Sequence, residues 1–398
     1  MTGNKTVHRF SLLPWWQQVF IIAGVSTALI LLSGYLGVYM AEHFLDWGGS
    51  ERPHRSLGNG LASWFVRWDA LYYLKIATIG YSPDGIERAF FPGYPLLCNA
   101  LSGLLNIPIL WSGLIISIGS FAGAGLFLYK LVLYDSDRPT AFYSVLWICF
   151  SPVSFFFVSF YPESLFLMLA IGSIYFERQG SFFLSGVLIF FAGSTTPLAT
   201  LLAIPYFVEY FHHKPQSRKE KVMVLLGMLI APLGFFAYMG YLGWQAGTLN
   251  GLNVYVALQS LEWDRMSMFP WSTFFHGIQS AVTGKNVSPL LFSRLLTIQN
   301  LGFALIGISM AVWSWFHLRR SYAIYLAGGM LFLLINHGPA GNPLMSFPRH
   351  LALFFPVYMV LAVLSGKMKY TLRISLIILS ILILVIYSAW FASGRWVA

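Results

Sequence analysis

The sequence predicts an all-α polytopic membrane protein, a single integral membrane unit over residues 1–398 with about eleven transmembrane helices. Three observations carry that reading. Hydrophobic residues make up 57% of the chain and charged residues only 10%, whereas soluble domains carry about 25% charge. Mean hydropathy is +0.69. Apolar runs of about twenty residues, the length a bilayer demands, recur from end to end between short polar stretches. A soluble globule of this size has too little interior to hide so much apolar surface.

The first run, Trp16 to Met40, is too long for a signal-peptide core and stands as the first membrane helix. Lys5 and Arg9 precede it, which places the N-terminus in the cytoplasm. Residues 41–90 then form a first outer loop, where the chemistry is expected. A helical core over 91–242, a second outer loop over 243–288 and C-terminal helices over 289–398 complete the chain. Phe91 to Leu105, rich in Pro and Gly, is too short to span comfortably and is expected as a helix at the interface. Ile109 to Tyr134 spans. Ala141 to Phe176 reads as a hairpin with its tip at Tyr161-Pro162-Glu163-Ser164, and Ser181 to Phe211 as a second with its tip at Ser194-Thr195-Thr196-Pro197.

Lys214, Arg218, Lys219 and Lys221 form the strongest cytoplasmic marker and fix the parity of the later crossings: Val222 to Leu242 out, Pro289 to Phe316 back, two crossings around Asn336 to Pro348, and Ile374 to Phe391 out. The net charge of +10 is therefore topological. Its Lys and Arg sit between apolar runs rather than on a basic face with interleaved aromatics, so nucleic acid is not an expected partner. Cys98 and Cys149 lie in apolar segments, which argues against a disulfide or a metal site. Asp135-Ser136-Asp137 has the Asp-x-Asp form that holds metal and nucleotide diphosphate in soluble enzymes, but it falls in a tight inner turn where helix breaking is expected. His212-His213 lacks partners at metal-ligand spacing.

The chemistry is expected outside. Trp68-Asp69-Ala70-Leu71-Tyr72-Tyr73 sets one carboxylate among indole and phenol rings at the membrane surface. On a helix Asp69, Tyr72 and Tyr73 share a face. Such a face offers rings for a sugar and a partly desolvated carboxylate as base. The competing reading makes Asp69 a helix cap, or pairs it with Arg67 or Lys75 in water. Glu163 sits at a hairpin tip, where a carboxylate at membrane depth costs at least ~2.5–3.5 kcal/mol. It either reaches headgroups and water or orients a substrate or an arginine. Arg67, Glu87 and Arg88 are open to reading as a solvated loop network.

Several of these segments together resemble the signature of the GPI mannosyltransferase II (PIG-V-like) family of GT-C membrane glycosyltransferases. They are Trp68-Asp69 with the tyrosines after it, Ile76-Ala77, Gly80-Tyr81 and Ala89-Phe90-Phe91-Pro92-x-Tyr94-Pro95. Ser151-Pro152 with the Phe155 to Phe157 run, Tyr161-x-Glu163-Ser164-Leu165-Phe166, and Arg349 before Phe355-Pro356 resemble later motifs. Trp263-x-Arg265 with Pro270-Trp271 is similar to a weaker one in prokaryotic relatives. The chain departs from the pattern at Ser194 to Pro197, where relatives usually carry an Arg, and at His350, where many have Tyr.

The resemblance implies a GT-C-like bundle and transfer of a sugar, mannose above all, from a polyprenyl-phosphate donor outside the cytoplasm, by an inverting single displacement. The acceptor is lipid-linked, a glycan or a protein. Asp69 is the expected base. Arg349, then Arg265, are expected at the leaving phosphate, which gains charge and suits a guanidinium. Trp68, Tyr72, Tyr73, Tyr81, Glu163 and His350 complete the expected substrate-binding set. No cofactor and no metal are expected, and the short termini favour a prokaryotic plasma membrane. The alternative is a transporter or lipid flippase, but its ionisable groups should lie near mid-membrane, and the broken helices in corresponding positions that mark many transporters are missing.

Overall fold

A computed structural model describes residues 13–43, 60–284 and 291–397 of the chain. Lys5, Arg9 and the Asn286-Val287-Ser288 sequon lie outside the described residues. Almost everything else is helix. The order is α1 (Trp15–His43), α2 (Leu61–Trp64), α3 (Asp69–Ile79), α4 (Gly93–Leu105), α5 (Ile109–Val132), α6 (Arg138–Cys149), α7 (Glu163–Arg178), α8 (Phe182–Gly193), α9 (Ala203–His213), α10 (Arg218–Ile230) and α11 (Leu233–Gln245). Then come α12 (Gly251–Trp263), β1 (Met266–Ser267), α13 (Pro270–Thr283), α14 (Leu291–His317), α15 (Arg320–Ile335), β2 (Asn336–His337), α16 (Phe347–Leu351), α17 (Pro356–Lys367) and α18 (Tyr370–Ala392). Short 3₁₀ turns at Ile86–Ala89, Ser154–Phe157 and Pro197–Leu202 complete it.

Among the described residues, five helices are long and apolar enough to cross a membrane: α1, α5, α10 continued by α11, Ser293–His317 within α14, and α18. The chain is thus a multi-pass membrane protein. These five long helices are fewer than the about eleven crossings expected from sequence, and the remaining apolar runs are divided into shorter helices. Each hairpin is broken near its tip by an irregular stretch, which leaves halves of 12 and 16 residues in α6 and α7 and of 12 and 11 in α8 and α9. The run expected over Val222 to Leu242 begins a turn early, at Arg218, under the Ser217 cap, and is interrupted at Ala231-Pro232.

The irregular stretch between α6 and α7 is not a solvated tip. Val153 and Phe155 to Tyr161 are all buried. Backbone carbonyls left without helical partners in an apolar interior must find donors, and serines supply them. Ser154 donates to Ile148 O at 2.7 Å, Ser380 to Phe150 O at 2.6 Å, Ser117 to Ser159 O at 2.8 Å, and Ser26 to Cys149 O. Around this plug α5 packs on α7, α18 on α1 and α17 on α6. Gly37 lets the backbone of Ala389 approach so closely that a Cβ would collide with it, the small-residue contact by which membrane helices gain van der Waals packing. Cys98 and Cys149 are buried and free, as expected.

Candidate active site

Asp69, Glu163 and Arg349, far apart in sequence (186 residues from Glu163 to Arg349 and 280 from Asp69 to Arg349), meet in one ion triad. Arg349 Nη1 donates to Asp69 Oδ2 at 2.5 Å, and its Nε donates to Glu163 Oε1 at 2.5 Å. The guanidinium lies over Tyr161 (4.6 Å to the ring centroid) and Phe156 (5.1 Å), an aromatic floor that suits a delocalised cation. The two acids are unequal. Glu163 is 5% exposed and Asp69 20%, so Glu163 is the buried anchor and Asp69 the open member. Its Oδ2 is engaged, which leaves Oδ1 for a ligand. Glu163 has an unpartnered Oε2 among the described residues.

Asp69 opens onto a cavity of about 350 Å³, also lined by Tyr73, Glu163, Arg265, Arg349, His350 and Trp396. Arg265 forms no ion pair among the described residues. Burial pulls its guanidinium down from the ordinary value, with Tyr255 and Asp69 acting against that fall and Arg349 adding to it. An arginine stays charged throughout. This half-buried cation facing an aromatic-lined space is the one most open to an anion.

Backbone strain aims all three side chains that matter. Among the described residues five non-glycine residues have positive φ, and three sit at this site: Trp68 (55°) before Asp69, Asp264 (49°) before Arg265, and Ser346 (61°) at the start of α16, which carries Arg349. A bulky residue with φ above zero costs on the order of 1–3 kcal/mol and persists only where its surroundings over-determine it. At Trp68 they do. Tyr161 hydroxyl donates to Arg67 O at 2.8 Å, Phe160 N to Phe65 O at 3.2 Å, and the Arg67 guanidinium holds Ala392 O through Nε (3.0 Å) and Nη2 (2.5 Å). The Arg265 turn is clamped by β1, which pairs antiparallel with β2 in the register Met266↔His337.

Of the residues expected from sequence, Asp69, Tyr73, Glu163, Arg265, Arg349 and His350 line the cavity. Trp68, Tyr72 and Tyr81 stand behind it. Tyr72 stacks on Phe90 at 4.8 Å, and Tyr81 donates to Phe90 O at 2.7 Å while packing on Tyr238 and Tyr241. These rings brace the wall rather than face a ligand. Asp69 does not pair with Lys75 or Arg67. Lys75 meets Glu87 at 2.9 Å, and Arg67 is buried against Ala392. The Arg67, Glu87 and Arg88 group is therefore not a solvated network. Glu87 is buried, which by itself would raise its carboxyl, but the Lys75 ammonium and the Ser82 N–H outweigh this and hold it down at about 2.

Sequence reasoning missed Trp396, Ser346 and Tyr255. Thr195 and Thr196 of the second hairpin tip, noted only as a departure, also line the cavity. That tip is held by Gly93 N donating to Ser194 O at 2.7 Å. The Asp-x-Asp turn is structural, since Asp135 pairs with Arg178 and Asp137 accepts from Thr140 N as a helix cap. Among the described residues no group of three His, Cys, Asp or Glu converges as a metal site would require.

A carboxylate with one oxygen unengaged and an arginine without an ion pair among the described residues, facing one aromatic-lined cavity in a multi-pass helical body, make a candidate enzyme site. The chain belongs to the mannosyltransferase (PIG-V) family, which it matches over residues 53–331. A stretch of 177 residues is 29% identical to GPI alpha-1,6-mannosyltransferase 2 of Cricetulus griseus, covering 40% of this chain and 35% of that one. Another of 114 residues is 34% identical to GPI mannosyltransferase 2 of Gibberella zeae, covering 28% and 26%. The match thus spans about a third or less of the length of such relatives. Among solved structures, the Archaeoglobus fulgidus oligosaccharyltransferase in its apo form aligns with a TM-score of 0.48 at 12% identity, over 96% of this chain and 56% of that one. Family membership does not favour the transporter alternative.

Proposed function

We propose that the protein transfers a mannosyl residue from a polyprenyl-phosphate donor to a hydroxyl of a membrane-associated acceptor, on the extracytoplasmic side, with inversion. The observation that carries this reading is the pairing, across one cavity, of Asp69 with an unengaged oxygen and Arg265 with no counter-ion among the described residues. Asp69 Oδ1 takes the acceptor hydroxyl proton as the sugar carbon develops oxocarbenium character, a contribution of ~10²–10⁴-fold for a positioned base. The donor phosphodiester carries one negative charge and the departing lipid phosphate gains a second. Arg265 meets that charge. Arg349, expected from sequence as the first phosphate partner, is committed to both carboxylates, and its role is to hold Asp69 in place. The names of the relatives make a GPI-like glycolipid the first acceptor to try. The reading requires no divalent cation, because a guanidinium neutralises the developing charge.

Purified protein incubated with radiolabelled polyprenyl-phosphate mannose and a membrane lipid extract tests this directly. A labelled glycolipid is the expected product, and absence of transfer to any extract component counts against the reading. The side is tested by Gly60→Cys labelled with an impermeant thiol reagent in intact cells of a prokaryotic host. The two native cysteines are buried and give little background.

A further inference from the structure

Beyond the triad, the cavity has a wall that the family match, ending at residue 331, does not reach. Helix α18 stops at Ala392, Gly394 adopts φ 89°, and Arg395 N donates back to Trp390 O at 2.9 Å, a left-handed glycine cap that turns the chain sharply. The segment after this cap is fastened at both ends. Arg67 grips Ala392 O, while Gln299 Nε2 of α14 donates to Val397 O at 2.8 Å, with the Tyr387 hydroxyl in turn donating to Gln299 Oε1. Between these two anchors Trp396 lines the cavity and meets Trp68, the residue before Asp69, edge to face at 5.2 Å and 89°.

We infer that residues 393–397 form the acceptor-side wall of the active site and that Trp396 is the platform on which the acceptor's sugar ring stacks. The inference rests on the reaction proposed above. A base delivers its free oxygen to the acceptor hydroxyl, so the acceptor lies on the Asp69 side. The donor phosphate lies toward Arg265. Of the two indoles on the cavity, Trp396 packs on Trp68, the residue before Asp69, whereas Trp263 lies two residues from Arg265 and is edge-on to Phe90 at 5.4 Å and to Tyr72 at 6.2 Å. A hexose presents a face of C–H bonds, and an indole held rigid by a neighbouring ring offers it a large apolar surface at little entropic cost. The double fastening gives that rigidity.

Two measurements on the full chain test this. With the lipid extract as acceptor, Trp396→Ala should raise the half-saturating acceptor concentration about tenfold, leave kcat and the KM for the donor within about threefold, and Trp396→Phe should recover most of the loss. A fall in kcat with the acceptor response unchanged, or a shift confined to donor KM, overturns the assignment. Independently of turnover, 5-fluorotryptophan is incorporated and the Trp396 signal assigned by its loss in Trp396→Phe. Octyl α-D-mannopyranoside should shift that signal saturably, whereas a short polyprenyl phosphate should not. If the wild type transfers no mannose, the proposed reaction fails while the titration still decides the platform: a saturable shift with the mannoside upholds it, and none overturns it.

Discussion

Two ionic clusters sit at opposite ends of α7 and are built from the same parts. At its first residue, Glu163 joins Asp69, Arg349 and, across the cavity, Arg265. At its last, Arg178 joins Asp135, Glu209 and Arg319. The helix separates them by about 22 Å, and an acid at its N-terminus with a base at its C-terminus suits the helix dipole. Each cluster holds two acids and two arginines. In the far cluster every charge finds an opposite one. Arg319 grips both oxygens of Glu209 at 2.7 and 2.9 Å, Ser321 adds a third bond, and Tyr322 ties Asp135 to Arg178. In the cavity cluster one arginine takes both acids, and among the described residues the other has no ion pair. The difference separates a staple from a candidate site: the same residue types tie helix ends together when the pairing closes, and leave a charge available to a ligand when it does not.

The largest expected effect breaks the open cluster without unfolding it. Asp69→Asn should lower turnover by at least ~10²-fold with little change in the apparent affinity for the lipid donor, because an amide keeps the size but cannot take a proton. Near-normal turnover would reduce Asp69 to a partner for Arg349. Arg178→Gln, its counterpart, should leave turnover per folded molecule unchanged and lower the melting temperature in detergent.

Next in size is Arg349→Gln, which strips the shared cation from two carboxylates. Breaking a buried pair this way costs about 3–5 kcal/mol, so both thermal stability and turnover should fall. A Glu163→Gln change added to it should restore part of the stability by removing the more buried charge. Arg265→Gln should behave differently, lowering kcat/KM for the donor by roughly 10–100-fold with no loss of melting temperature, since no ion pair is broken. A stability loss equal to that of Arg178→Gln would place Arg265 among the staples.

Smaller again is the outlying pair of Lys75 and Glu87. The folded-state value of Glu87 lies below its ordinary 4.5, at about 2, so its contribution is present in full above about pH 5 and is lost as pH falls toward 2. Glu87→Gln should lower the melting temperature by a similar amount at pH 8 and pH 5.5, and the gap should close under acid. The smallest expected effect is none: EDTA should leave transfer unchanged. Activity that vanishes in chelator and returns with magnesium would recast Asp69 and Glu163 as ligands.

The sequence by itself determined the class of body and singled out Asp69 as the candidate base. Apolar runs of bilayer length leave no soluble alternative, and Asp69 among aromatic residues is a local pattern that needs no tertiary contact to notice. Glu163 is legible as a costly charge at a hairpin tip, since an ion placed there needs a reason, and Arg349 is legible only through the family resemblance. What the sequence could not decide is partnership. Arg349 and Arg265 are chemically alike, and only the tertiary packing that brings the Arg349 side chain to Asp69 and Glu163 commits the first to both acids and leaves the second without an ion pair among the described residues. Tyr81 and Trp396 exchange importance for the same reason. Tyr81 lies within a recognisable motif yet turns its hydroxyl to Phe90, whereas Trp396 belongs to no motif and reaches the cavity because Gly394 reverses the chain and Arg67 and Gln299 fasten it. Periodicity reports which face of a helix is apolar. It carries no information about which distant charge, or which tail, that face will meet, because those contacts are fixed by long-range packing alone.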